Sequence, residues 1–393
     1  MAGADDGLTE RAIDILGRLV AFDTTSRDSN LALIAWVEAY LADLGIASRR
    51  IGNADGSKAN LLASIGPDVA GGVVLSGHTD VVPVDGQPWT SDPFTLTARD
   101  DGRLYGRGTC DMKGFLALAL AAAPELIAQP LARPVHLAFS YDEEVGCLGA
   151  PDLIRAIVKD LPRPDLVIVG EPTDMAAVRG HKGVMAFTVT VSGHEAHSSQ
   201  PHLGASANMA AVRLMSELVA LADQLERDAD PASPFTPKHP TLTIGVIEGG
   251  TAFNILARQC VFRFDLRSPA GVDGEALLAP FFASAKRMDA ELKARFAECG
   301  VKIDARSATP PLAVEENGPA EAFARRLAGD NGPPRVVPYA AEAGQFQQAG
   351  FSVVICGPGS IDQAHQPDEY VELGQMQRGG AFMTRLIEAM RLG

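Results

Sequence analysis

The chain has 393 residues, 46% hydrophobic and 21% charged, the composition of a soluble globular protein long enough for two cores. A net charge of −15 disfavours nucleic acid and anionic membranes as partners, and no run of about 18 apolar residues offers a spanning helix. The five cysteines are odd in number and scattered, and the N-terminus lacks a basic-then-apolar leader, so a reducing cytoplasm is expected.

Residues 8–24 and 30–45 have helical apolar spacing; in the second, Leu31, Ile34, Val37, Leu41 and Leu44 recur at helical intervals and Gly45 is placed to stop the helix. Short apolar runs at 60–65, 72–77, 134–140 and 165–169 read as buried strands, with helices at 113–127 and 147–159. Strands alternating with helices predict an α/β sheet with functional residues at strand ends. Residues 80–110 read as a long loop rich in Pro, Gly and Asp, a length that is usually functional in a compact domain.

From His181-Lys182-Gly183 the pattern changes: strand 184–192, helix 204–226, strands 241–248 and 259–267, helix 273–299 and strand 300–306. That βαββαβ order is a ferredoxin-like two-layer unit, with a four-proline surface loop over 228–240. After Pro310-Pro311 the α/β pattern resumes with helix 319–328, strand 334–338, helix 342–349, strand 352–356 and helix 373–391. The expected organisation is a discontinuous α/β catalytic domain over 1–182 and 307–393, a mixed sheet with helices on both faces. A lid and dimerisation domain is inserted over 183–306.

Strand 72–77 runs into His78-Thr79-Asp80. Alternate residues of an extended backbone share a side, so His78 and Asp80 can face one point, as a metal-ligating imidazole and an acid that fixes its orientation either directly or through a neighbouring ligand. Asp111 stands ahead of an Ala/Leu-rich helix, where it also reads as an N-cap. Asp142, Glu143 and Glu144 end another strand, and their repulsion is relieved either by water or by a dication that neutralises one carboxylate and leaves another free as a base. Glu171 ends the next strand, and His365 follows strand 352–356 on a Gly/Pro loop. Mixed N/O ligands suit zinc, and a bridging carboxylate suits two metals about 3.5–4 Å apart.

The motifs Ser76-Gly77-His78-Thr79-Asp80-Val81-Val82-Pro83, Gly106-Arg107-Gly108-Thr109-Cys110-Asp111-Met112-Lys113-Gly114, Asp142-Glu143-Glu144-Val145-Gly146, Gly170-Glu171-Pro172-Thr173 and the late histidine form a specific combination. Together they resemble the dinuclear-zinc amidohydrolase family that includes aminoacylase, acetylornithine deacetylase and succinyl-diaminopimelate desuccinylase, and the resemblance spans essentially the whole chain. It implies two zinc ions per chain, with cobalt as a substitute: His78 and Glu171 on one, Glu144 and His365 on the other, Asp111 bridging. It also implies Asp80 as the orienting acid, Glu143 as the general base and a cis peptide at Asp111–Met112. Ser192–Pro201 resembles the family's lid motif, by which His197 reaches the oxyanion of a partner chain in a homodimer formed through the lid. Asn254 resembles a substrate-contacting asparagine, and Arg267 suits a substrate carboxylate. His136, His202 and His239 are expected to be structural or solvent-facing, and His181 to belong to the hinge.

Within the family the likeness is greatest to the acetylornithine deacetylases, through Gly106–Phe115 and through Tyr339–Phe346, where Ala341 replaces a common threonine. The implied reaction is hydrolysis of N2-acetyl-L-ornithine to L-ornithine and acetate, in arginine biosynthesis, with Glu342 accepting the side-chain ammonium. Other N-acyl amino acid hydrolases and the desuccinylase are the alternatives. A non-catalytic metal-binding scaffold is the third, and Glu143 argues against it because no zinc needs that residue.

Overall fold

Strand Val73–His78, buried at every residue, lies inside an eight-stranded mixed sheet in the computed structural model, which describes residues 2–391. The order is Ser48–Gly52, Ala59–Ile65, Val135–Ser140, Val73–His78, Leu166–Val169, Ser352–Ile355, Val178–His181 and Arg335–Val337. Four of these neighbours run parallel in succession: Val135–Ser140 with Val73–His78, then Leu166–Val169, then Ser352–Ile355. Parallel strands covered on both faces are apolar along their length, which is why these runs show no alternation. Their carboxyl ends emerge at one edge of the sheet, the place where an open α/β sheet presents its chemistry. His78, Glu143, Glu144, Glu171 and the loop carrying His365 all follow from those four ends.

The helices complete this core. Gly114–Ala121 is buried at all eight positions, so it is apolar on every side. Pro124 sits in the first turn of the next helix, Ala123–Ala128, and divides what the sequence presents as one helix over 113–127. The first helix ends at Val20 rather than 24, because Thr24 and Ser26 turn to bond the chain beyond His78: Thr24 Oγ1 donates to the Thr79 carbonyl at 2.6 Å and Ser26 N to that of Val81 at 3.1 Å.

The chain divides into two compact units: Met1–Gly180 with Leu312–Val336 and Ala341–Gly393, and His181–Pro311 with Val337–Ala340. Against an expected insert over 183–306, the last strand of the second unit runs on to Thr309. That unit is an antiparallel sheet in the order Thr241–Gly249, Gln259–Ser268, Gly183–Ser192, Gly300–Thr309, with helices Ala207–Arg227 and Gly274–Arg295. Ser206 and Asp273 cap those helices by accepting from Met209 N and Ala276 N, which fixes where each begins. Along Gln259–Ser268 the buried residues alternate, Cys260, Phe262, Phe264 and Leu266, as a two-layer unit requires. Phe264 stacks on Phe187 at 5.2 Å and meets Phe281 edge-on at 5.3 Å; each buried ring contributes about 1.5–3 kcal/mol.

The stretch 80–110 is not a plain loop. Arg103–Tyr105 pairs with Thr97–Ala98 on one side and Tyr370–Glu372 on the other in a third, three-stranded sheet. Among the described residues no helix is long and apolar enough to cross a membrane, and the five cysteines are buried and form no disulfide.

Candidate active site

At the carboxyl edge of the sheet the first unit gathers two imidazoles and five carboxylates. Asp111 lies between the imidazoles: His78 Nε2 is 3.0 Å from its Oδ1, and His365 Nε2 is 3.2 Å from its Oδ2. Glu144 Oε2 is 3.0 Å from His365 Nε2, and Glu171 Oε1 is 3.9 Å from His78 Nε2. Glu143 offers an oxygen within 4.8 Å of the donor atoms of His78 and Glu171. The Asp111–Met112 peptide is cis.

Close backbone approach makes this convergence possible. Gly357, at the start of the loop leading to His365, has no room for a side chain, since a Cβ would lie 2.0 Å from the Gly170 oxygen beside Glu171. Gly359, at φ 88°, likewise lies against Cys110, whose Cβ would be 2.5 Å from any Cβ there. The three loops carrying Asp111, Glu171 and His365 therefore close on one another only because glycines stand at the crossings.

Asp80 serves this group in a way the sequence did not reveal. His78 Nδ1 is 2.9 Å from the Asp80 carbonyl oxygen and 3.6 Å from Oδ1, so the main-chain oxygen accepts the Nδ1 proton and leaves Nε2 facing Asp111. The Asp80 carboxylate accepts from Glu143 N at 3.1 Å, Glu144 N at 3.3 Å and the Ser26 hydroxyl at 2.7 Å. It fixes the backbone from which both glutamates project.

The electrostatics are those of a cation site. Burial lifts Glu143 to about 8; the His78 charge opposes the rise, and repulsion from Glu144, Asp111 and Asp80 adds to it. Burial, then Asp111, lifts Glu144 to about 7. Burial and the Glu143 charge push Glu171 well above the usual range, and its Oε1 is buried without a hydrogen-bond partner. Hydrogen bonds donated by the His365 ring to the Asp111 and Glu144 carboxylates raise His365 to about 10. Against the cost of burial, His365 and His78 hold Asp111 below the ordinary carboxylate range. A cluster of acids that repel one another, interleaved with imidazoles and holding an orphaned buried oxygen, is the donor set that divalent cations satisfy. His78 is 1% exposed and His365 51%, so the cluster has a deep side and an open side.

Glu342 is 1% exposed, and its two oxygens accept from the Ser76 hydroxyl at 2.6 Å and the Ser140 hydroxyl at 2.7 Å. In the second unit, His197 and Asn254 are exposed on adjoining loops, tied by the Ser198 N to Asn254 carbonyl bond of 2.9 Å. His197 Nδ1 is 2.8 Å from the Ser199 hydroxyl. Arg267 is engaged through Nε with Asp265 at 2.8 Å. His136 is buried against Ser64 and burial lowers it to about 4, while His194 pairs with Glu298 at 2.6 Å. Cys147, whose thiol donates to Glu143 Oε1 at 3.2 Å, was not legible from sequence, where cysteines signal mainly by pairing.

The family described as peptidase family M20/M25/M40 matches residues 74–389. Over 387 residues the chain is 36% identical to an acetylornithine deacetylase of Salmonella typhimurium, an alignment covering 96% of this chain and 95% of that one. It is 35% identical over 376 residues to the acetylornithine deacetylase of Proteus mirabilis, covering 94% and 92%. In fold it is similar to an M20 family metallo-carboxypeptidase of Sulfolobus solfataricus, with a TM-score of 0.77 at 18% identity over 96% of this chain and 98% of that one.

Proposed function

The chain belongs to the M20/M25/M40 peptidase family and is a hydrolase, and from that premise we propose that it removes the acyl group from an N-acyl amino acid, with N2-acetyl-L-ornithine as substrate and L-ornithine and acetate as products. The observation that carries the reading is Asp111 with one oxygen toward His78 and the other toward His365, Glu143 standing beside them. His78 and Glu171 would hold one cation, Glu144 and His365 the other, and Asp111 both. Zinc suits this N/O set, with cobalt a competent substitute.

Bound there, two cations supply Lewis acidity, polarising an amide carbonyl and making water acidic enough to attack it near neutral pH. Glu143 takes the proton of that water on a carboxylate oxygen and passes it to the leaving amine. Burial keeps its proton affinity high, and neighbouring cations bring it down toward the working pH, where a general base is most effective. Cys147 holds the Glu143 carboxyl in place through its thiol.

The lid supports a homodimer. The outer strand Thr241–Gly249 has a free edge, Ile247 on it is 60% exposed, and Met209, Val212 and Val219 form an exposed apolar stripe at helical spacing on Ala207–Arg227. A second copy related by a two-fold axis covers such an edge and stripe with its own. His197 and Asn254 would then serve the partner's site, His197 by stabilising the oxyanion and Asn254 and Arg267 by holding the substrate. The expected contact of Glu342 with the ornithine ammonium requires substrate to reach a carboxylate that is 1% exposed and already held by Ser76 and Ser140.

A panel of N-acetylornithine, N-acetylmethionine, succinyl-diaminopimelate and a dipeptide, assayed with and without chelator, tests the function. The highest kcat/KM on acetylornithine, lost on chelation, is expected. A higher value on another substrate reassigns the specificity, and chelator-insensitive hydrolysis removes the metal mechanism.

A further inference from the structure

Glu369 takes no part in the chemistry above, yet it is the most heavily engaged carboxylate beside it. It is 1% exposed. Its Oε1 accepts from Cys110 N at 3.0 Å and Asp111 N at 3.1 Å, and its Oε2 from Gly108 N at 2.8 Å and Arg107 Nη1 at 2.8 Å. Its own carbonyl accepts from Gly106 N at 2.9 Å. The segment leading to Asp111 precedes the regular helix that starts at Gly114, so these amides lack the acceptors a helix would provide, and one side chain provides them instead.

The network continues to the other imidazole. Arg107 Nη2 donates to Gln87 Oε1 at 2.6 Å, and Gln87 Nε2 donates to the His365 carbonyl at 3.0 Å. Glu369 itself lies four residues after His365. Two loops far apart in sequence are thereby tied together, and they carry the two residues, Asp111 and His365, that meet at the open side of the site. His78 and Glu171 are set by strand ends and lie outside this network.

We propose that Glu369, paired with Arg107, is a positioning residue that sets Asp111 against His365 and so determines how tightly the open cation site is held, an inference that rests on Asp111 and His365 being ligands. The acceptor must be a carboxylate, because every group facing it is a donor. An amide would turn its NH₂ toward backbone N–H groups or the guanidinium, so Glu369→Gln is isosteric yet disruptive.

The test titrates Co²⁺ into chelator-stripped full-length protein, following visible absorption to resolve two binding steps. In Glu369→Gln the step that depends on His365 weakens by about 10–100-fold, while the other, which shares Asp111 but keeps His78 and Glu171 on their strand ends, weakens by less. kcat falls at limiting metal and is restored by excess Co²⁺, with KM nearly unchanged. Gln87→Ala, which removes the link between Arg107 and the His365 carbonyl and leaves the Glu369 contacts to the Asp111 segment in place, weakens the same step by less and serves as the reading if Glu369→Gln does not fold. Wild-type affinities at both steps, or equal weakening of both with a lowered melting temperature, overturn the proposal and leave Glu369 as a structural clamp. His365→Ala is the control on the underlying reading: it must abolish one step, and if both steps survive, the ligand assignment fails rather than the role of Glu369.

Discussion

The cluster around Asp111 and the loops around His197 are built differently. In the cluster, His78 and Glu171 are set by ends of parallel strands and Asp111 by a buried carboxylate; His365 alone is half exposed. In the lid, His197 and Asn254 are exposed on loops, and the His197 ring meets the hydroxyl and main-chain amide of Ser199 two residues on. Groups that must hold cations gain from rigid placement, since every loosened ligand costs affinity, whereas a group that meets substrate only after association can stay adaptable. On the proposed function, the contrast has the cluster complete within one chain and the lid residues acting only when brought to a site.

Substitutions can break that contrast or sharpen it. The largest effect is expected for Glu143→Gln: kcat lower by about 10²–10⁴-fold with the metal content of the chain unchanged by elemental analysis. A lost cation would instead make Glu143 a ligand. His197→Ala should lower kcat by about 10²–10³-fold, again without loss of metal. Mixed with Glu143→Gln and allowed to exchange subunits, it should recover part of the wild-type activity, because the hybrid dimer has one site with both groups intact. No recovery, once exchange has been shown independently, returns His197 to the site of its own chain.

Glu342→Gln should lower kcat by about tenfold, alike on acetylornithine and acetylmethionine, if Glu342 acts through Ser76 and Ser140 on the strand ends around His78. A rise in KM confined to acetylornithine would show the ammonium contact. The smallest effect is a linkage. Without cations, hydrogen bonding holds His365 near 10 and burial holds Glu144 near 7, so at neutral pH His365 is protonated and Glu144 partly so. Cations bind the unprotonated forms, so loading should release protons into weak buffer and apparent affinity should rise with pH. Proton uptake on loading would contradict this.

Much of this was legible in the sequence because buried parallel strands read as short apolar runs, and an acid or imidazole directly after such a run stands out. His78, Glu144 and Glu171 are of that kind. Glu369 was not legible: after Pro367-Asp368 it reads as a solvated loop acid, and its partners are some 260 residues away. The small sheet of Thr97–Ala98, Arg103–Tyr105 and Tyr370–Glu372 is invisible for a related reason, since strands of two or three residues have no periodicity to detect. Ser48–Gly52, with two arginines at the sheet edge, lacks the apolar run that marks a buried strand. The main-chain contact from Asp80 to His78 is not legible because sequence shows a side chain near His78 but not which oxygen will reach the ring.

The most direct test of the central claim follows acetate release from N2-acetyl-L-ornithine while Zn²⁺ is returned, equivalent by equivalent, to chelator-stripped protein. The account predicts no turnover in the stripped chain and a rate that saturates at two equivalents per chain. Turnover undiminished by stripping, or a full rate at one equivalent, would contradict it.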